Sequence, residues 1–271
     1  MKPLDLIEMV LTRALDSLFA CITRDIPAAE ALQTCRIISH RGEHDNATVF
    51  ENTLPAFDAA LKHGVWGIEC DVRWTRDLVP VVFHDADLLR LFNSADVVGR
   101  TEFGQLRQSF PQIPTLNEVL TRYGRCMHLM VEIKTETYPD PVYQSRILAE
   151  EFGRLIPEKD YHFLSLNPDM FQYIDFSPSG TRIAVAQVNV AAMSRLALQN
   201  NYGGMACHYA FMSRTRMRTH QQREQKVGTA YIRSRNSLFR EINRGVDWLF
   251  SNHAVKVQQI LNHAVEAVAR R

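Results

Sequence analysis

Residues 68–85 read IECDVRWTRDLVPVVFHD, and their spacing decides the fold. The first half sets Ile68, Cys70 and Val72 against Glu69, Asp71 and Arg73, the period-two pattern of a strand. About five residues then separate "GIECDVRW" (67–74) from "PVVFHD" (80–85). A parallel crossover needs a dozen or more. The second segment is therefore expected to fold back as a hairpin arm, with Thr75 to Val79 at the turn and His84 alongside Asp71.

Outward from this pair, short β-branched runs alternate with helical patterns. Strands are expected at "RIISH" (36–40), "LMVEIK" (129–134), "HFLSL" (162–166), "RIAVAQ" (182–187), "GMACHY" (204–209), "GTAYIR" (228–233) and "WLFSN" (248–252). Between them lie helical stretches after Asn52 or Thr53 and near 114–124, 141–155, 168–176, 190–200, 213–224 and 235–244, with a last helix from about 253. Eight parallel strands with intervening helices close most simply into a (β/α)8 TIM barrel, whose chemistry sits at the carboxyl ends of the strands. The expectation is a single domain over 1–271, with a helical extension at 1–30 and an irregular insertion at 86–114.

Composition narrows the partners. The chain has 271 residues, 46% hydrophobic and 23% charged, with a formal net charge of +1. That is ordinary for a globular protein and gives no global pull towards nucleic acid or an anionic membrane. Five dispersed cysteines without a C-x-x-C pair suggest reduced thiols and a cytoplasmic protein. Leu4, Ile7, Leu11, Leu15, Leu18 and Ile22 recur at helical spacing. The polar side of that helix mixes Asp5, Glu8 and Asp16 with Arg13, so packing on the barrel is favoured over peripheral membrane contact. Nine basic residues between Arg214 and Arg244 face only Glu224 and Glu241. A solvated helical face is preferred there over a surface that steers anions.

The polar groups at strand ends carry the chemistry. The first strand ends in His40-Arg41, the second carries Glu69 and Asp71, the arm ends in His84-Asp85, and "VEIK" carries Glu132 and Lys134. Glu69 and Asp71 are two apart, as are Glu132 and Lys134, so each pair faces one side of its strand. Taken singly, such an E-x-D pair is commonly a salt-bridge partner and a strand-end histidine a hydrogen-bonded structural residue. Here seven of these groups, Asp85 left aside, coincide at the ends of neighbouring segments. Three gathered carboxylates stay ionised only beside a cation. All-oxygen ligands suit Mg²⁺ or Ca²⁺, so Glu69, Asp71 and Glu132 are candidate metal ligands. Arg41 and Lys134 then imply an anionic ligand, phosphate above all. His40 and His84 supply a general acid and base. The expected reaction is metal-assisted phosphodiester cleavage of a small molecule.

At these residues the chain resembles the glycerophosphodiester phosphodiesterase family. The matching motifs are "HRG" (40–42), "ENTLPAF" (51–57), "GIECDVRWTRD" (67–77), "PVVFHD" (80–85), "IPTLNEVL" (113–120) and "VEIK" (131–134), with looser echoes at 164–171 and 245–252. The resemblance implies a TIM-barrel hydrolase that releases an alcohol and glycerol 3-phosphate. It also implies His40 and His84 as the catalytic pair, Glu69, Asp71 and Glu132 as Mg²⁺ or Ca²⁺ ligands, and Arg41 and Lys134 as phosphate contacts. Where the family often has a "WTVN"-like end to its seventh strand, this chain has Ala230 to Arg233; Leu78 replaces a usual glycine and Leu166 a usual phenylalanine. These departures bear on the leaving-group pocket. A lysophospholipase D-type activity and a non-catalytic phosphate-binding barrel are the alternatives.

Overall fold

The computed structural model of the chain describes residue 17 and residues 19–270. In chain order the strands are β1 (Ile37–His40), β2 (Gly67–Trp74), β3 (Pro80–Val82), β4 (His128–Ile133), β5 (Tyr161–Ser165), β6 (Arg182–Ala186), β7 (Gly204–His208), β8 (Lys226–Ala230) and β9 (Trp248–Ser251). All but β3 run parallel, and β1 pairs with both β2 and β9, which closes the ring. β3 lies antiparallel on β2 with Val72 opposite Val82 and Trp74 opposite Pro80. The molecule is a (β/α)8 TIM barrel with one added strand.

Side-chain alternation along each strand sorts residues between two layers. On β2, Ile68, Cys70, Val72 and Trp74 join the core between barrel and helices; on β4, Leu129, Val131 and Ile133 do the same. The opposite parity faces the barrel interior, where Ile38, Met130, Leu164, Ile183, Ala206, Trp248 and Phe250 pack together. Glu69 and Asp71 share the inward parity, as does Glu132, two residues on from Met130. The sequence spacing thus fixes which side these acids face. The strand register then sets His40 opposite Glu69 and Asp71 opposite Glu132.

Three segments differ from expectation. Residues 86–114 are more ordered than an irregular insertion: helices Leu89–Phe92 and Phe103–Ser109 sit over Val81, Phe83, Leu88, Val98, Leu106 and Ile113. Its apolar residues follow no single period because they converge from loops as well as helices. Residues 168–174 form a 3-10 turn in place of an α-helix. β8 stops at Ala230, short of the expected 233, because Tyr231 takes φ +70°, which turns the chain out of the sheet. Of the expected 4–22 helix, only residues 17 and 19–22 are described, helical through Cys21; the rest lies outside the described residues. No helix among the described residues is long and apolar enough to cross a membrane.

A carboxylate and histidine cluster at the carboxyl end of the barrel

β1 delivers His40 and then bends sharply. Arg41 has φ +62° and Gly42 φ +78°. Only glycine fits at 42, since a Cβ there would lie 2.6 Å from that of Ala56, on the helix Leu54–Lys62. The bend is held by the Arg41 amide, which donates to the Glu69 carbonyl at 3.0 Å and to its carboxylate at 3.1 Å. It returns the Arg41 side chain over the barrel mouth, where Nε lies 3.3 Å from Asp71 and Nη1 3.0 Å from Glu51.

One ligand atom each from Glu69, Asp71 and Glu132 lies within 4.8 Å of the others, and Glu69 and Asp71 are fully enclosed. Lys134 Nζ bridges Glu132 at 2.7 Å and Asp71 at 3.1 Å. Asn52 donates to Asp71 Oδ2 at 2.7 Å. Burial alone would raise the Asp71 pKa, but Lys134 and Arg41 outweigh it and hold the carboxyl well below its usual range. Glu69 goes the other way, raised by burial and by the Asp71 charge. Glu132 is raised first by burial, then by Asp71, with Lys134 opposing. Three buried acids against two cations leave negative charge in excess, and every donor is an oxygen. That is the chemistry of a divalent hard-cation site.

The two histidines are oriented differently. His40 Nδ1 lies 2.6 Å from Asn252 Oδ1, and Nε2 lies 3.7 Å from Glu69. With the amide oxygen as acceptor, Nδ1 carries the proton and Nε2 is left to face the acids. Burial, then the Arg41 charge, pushes the His40 pKa down to about 3. His84 Nδ1 pairs instead with the Asp85 carboxylate at 2.7 Å. Asp85 in turn accepts from Arg90 Nε at 2.6 Å, and Arg90 grips Glu51 at 2.6 and 3.1 Å. Because Glu51 also holds Arg41, one guanidinium from the 86–114 segment ties the hairpin arm to the bend after β1.

All seven residues expected at the site meet here. Asn52, Glu51, Asp85 and Arg90 carry no expected role at the site from sequence alone, and Asn252, at the end of the eighth parallel strand, is expected only as a residue that could face the cavity. Asn52 reads as a helix cap, and Arg90 falls in a segment without a periodic signal. Trp74 and Phe83 are buried in two separate apolar clusters. Asp45 closes its own loop by accepting from the amides of Ala47, Thr48 and Val49.

A closed parallel barrel with acids, cations and imidazoles gathered at the carboxyl ends of its first strands defines a TIM barrel, the class whose chemistry sits at that end. The model of the glycerophosphoryl diester phosphodiesterase family matches residues 40–226, and the chain belongs to that family. It is 35% identical over 115 residues to glycerophosphodiester phosphodiesterase 1 of Rattus norvegicus, covering 35% of this chain and 34% of that protein. To the glycerophosphodiester phosphodiesterase of Bacillus altitudinis it is 33% identical over 125 residues, 41% of this chain and 50% of that one. The chain thus spans about half or less of the length of these curated relatives. An Oleispira antarctica phosphodiesterase solved with the product sn-glycerol-3-phosphate shares the fold, with TM-score 0.70, 23% identity, and coverage of 86% of this chain and 99% of that one.

Proposed function

We propose that the chain hydrolyses glycerophosphodiesters such as glycerophosphocholine or glycerophosphoethanolamine to an alcohol and glycerol 3-phosphate. The observation that carries this is the single cluster in which three buried carboxylates, two cations and two differently partnered histidines converge. The family of the chain and the product held by the Oleispira antarctica phosphodiesterase support the same substrate class. Glu69, Asp71 and Glu132 would hold Mg²⁺ or Ca²⁺, which when bound polarises phosphoryl oxygens and neutralises these acids. Arg41 and Lys134 receive the remaining phosphate charge, Arg41 with a planar fork and Lys134 as a point charge.

His40 and His84 move the protons. His40 is held neutral by burial and the Arg41 charge, and Asn252 keeps its proton on Nδ1, so Nε2 is suited to accept a proton from the attacking oxygen. His84, with a carboxylate behind its other nitrogen, is suited to donate one to the leaving alkoxide. The five cysteines are unpaired, which supports a reducing compartment such as the cytoplasm.

One observation favours a wider substrate range. Tyr231 and Phe211 are 41% and 46% exposed, and their rings lie 5.6 and 5.4 Å from His208. The Tyr231 ring is 5.9 Å from His40, so an apolar shelf borders the reacting centre. Such a shelf would accommodate one acyl chain, as a lysophospholipase D-type activity requires.

The test is release of glycerol 3-phosphate from a phosphodiester panel, each assayed with Mg²⁺, Ca²⁺ or chelator. Turnover of glycerophosphocholine that chelator abolishes is the expected result. Activity unaffected by chelator, or absent from every glycerol diester, refutes the reading. Comparable turnover of lysophosphatidylcholine would establish the wider range.

A further inference from the structure

A second gathering of charge lies away from the acids. The segment around Phe19 to Asp25, the turn before the helix Arg214–Gln221, and the helix Arg235–Arg244 enclose a cavity of about 580 Å³. Four arginines line it: Arg24, Arg214, Arg240 and Arg244. The amino-terminal segment is fixed there by Asn236, which donates to the Ala20 carbonyl at 2.6 Å, and Asn243, which donates to that of Asp25 at 2.9 Å. Arg240 also sits over the Phe19 ring at 4.7 Å.

The charges do not balance. Buried Glu241, behind the wall, accepts from both Arg240 and Arg244, and Asp25 is the acid that lines the cavity. Two acids therefore answer four arginines. Arg24 Nε is buried without a hydrogen-bond partner, and Arg214 makes no ion pair among the described residues. Burial lowers the Arg240 pKa; Glu241 offsets part of this, and Arg244 and Arg24 push it down again. Ser213 caps the helix Arg214–Gln221 at the same wall, so a helix amino terminus adds its partial positive charge.

We infer that this arginine-lined cavity is a second anion site, distinct from the catalytic cluster, that takes a phosphate group. Arginine forks match phosphate oxygens two at a time, and an anion between them relieves the crowding of like charge. The volume admits a free phosphomonoester or the headgroup of a lipid whose tails stay outside. Both sources present the same chemistry. The site does not depend on the activity proposed above.

The test compares the wild-type chain with Arg24→Gln/Arg214→Gln, two positions that are not enclosed in the core. Calorimetry measures binding of inorganic phosphate. Co-sedimentation measures retention on vesicles of equal parts phosphatidylcholine and phosphatidic acid. The expected result is loss of one phosphate site, or at least about a tenfold weakening of it, in the double variant. Phosphodiester turnover and thermal midpoint should be unchanged. If phosphate binding is weak but vesicle retention falls in the variant, the source is a headgroup. Equal phosphate stoichiometry and equal vesicle retention in both proteins overturn the proposal. Turnover on the diester panel is read separately, so failure of either reading leaves the other standing.

Discussion

The two ends of the barrel both bury histidine, with opposite results. At the carboxyl end His40 and His84 are partnered by Asn252 and Asp85 beside a cluster of acids. At the amino end His128 and His162 hydrogen-bond each other at 2.8 Å, and Trp66 stacks on His128 at 4.5 Å. Burial drives His128 to about 4 and His162 to about 3, the latter also through His128. His128 Nδ1 donates to the Lys159 carbonyl at 2.9 Å, so its Nε2 accepts from His162 Nδ1, and the pair's protons are taken up in packing. The same residue type sits among acids at one end, where we propose it moves protons, and packs against its like at the other.

Removing the upper imidazoles is the harshest way to break this contrast. His40→Ala and His84→Ala should each lower turnover by about 10³-fold while cation affinity and thermal midpoint hold. Full activity in either would end its assignment. Glu69→Gln should act next, reducing turnover by roughly 100-fold and weakening cation binding together, because one ligand charge is lost. Calorimetry with Mg²⁺ or Ca²⁺ that showed wild-type affinity would remove Glu69 from the ligand set.

The lower pair should register as stability instead. Histidines with depressed folded pKa values bind fewer protons when folded than when unfolded. Their contribution is present above the unfolded value near 6.5 and is lost as pH falls from there towards about 4 and 3. Urea unfolding at pH 5 and pH 7 should differ by about 4 kcal/mol through this pair, and His162→Gln should remove about half of the difference. An unchanged slope would show that the pair is not the source.

Smallest is the effect of Arg90, which touches only Asp85 and Glu51 among the site groups. Arg90→Ala should reduce kcat/KM by about tenfold, mostly through kcat, with partial recovery in Arg90→Lys. A pure loss of stability with kinetics intact would make Arg90 a strut of the 86–114 segment and nothing more.

How much was legible can be judged from single residues. Glu69 and Asp71 announce themselves because residues two apart on a strand share a face whatever the rest of the chain does. The hairpin arm was readable because five residues are too few for a crossover. Asn252 was not readable as a partner of His40, since it lies 212 positions further on and only closure of β9 on β1 brings them together. Arg90 was hidden for a related reason: its segment folds over an apolar cluster fed from several loops, with no period to betray it.

The sequence by itself determined the alternation of strands and helices, the shared face of the acids and the hairpin return of β3, since these follow from local stereochemistry and chain length. Tertiary structure alone decided which amide orients His40, which guanidinium braces His84, and that four dispersed arginines share one hollow. Those contacts join positions far apart in the chain, and only ring closure and helix docking bring them within a few ångströms.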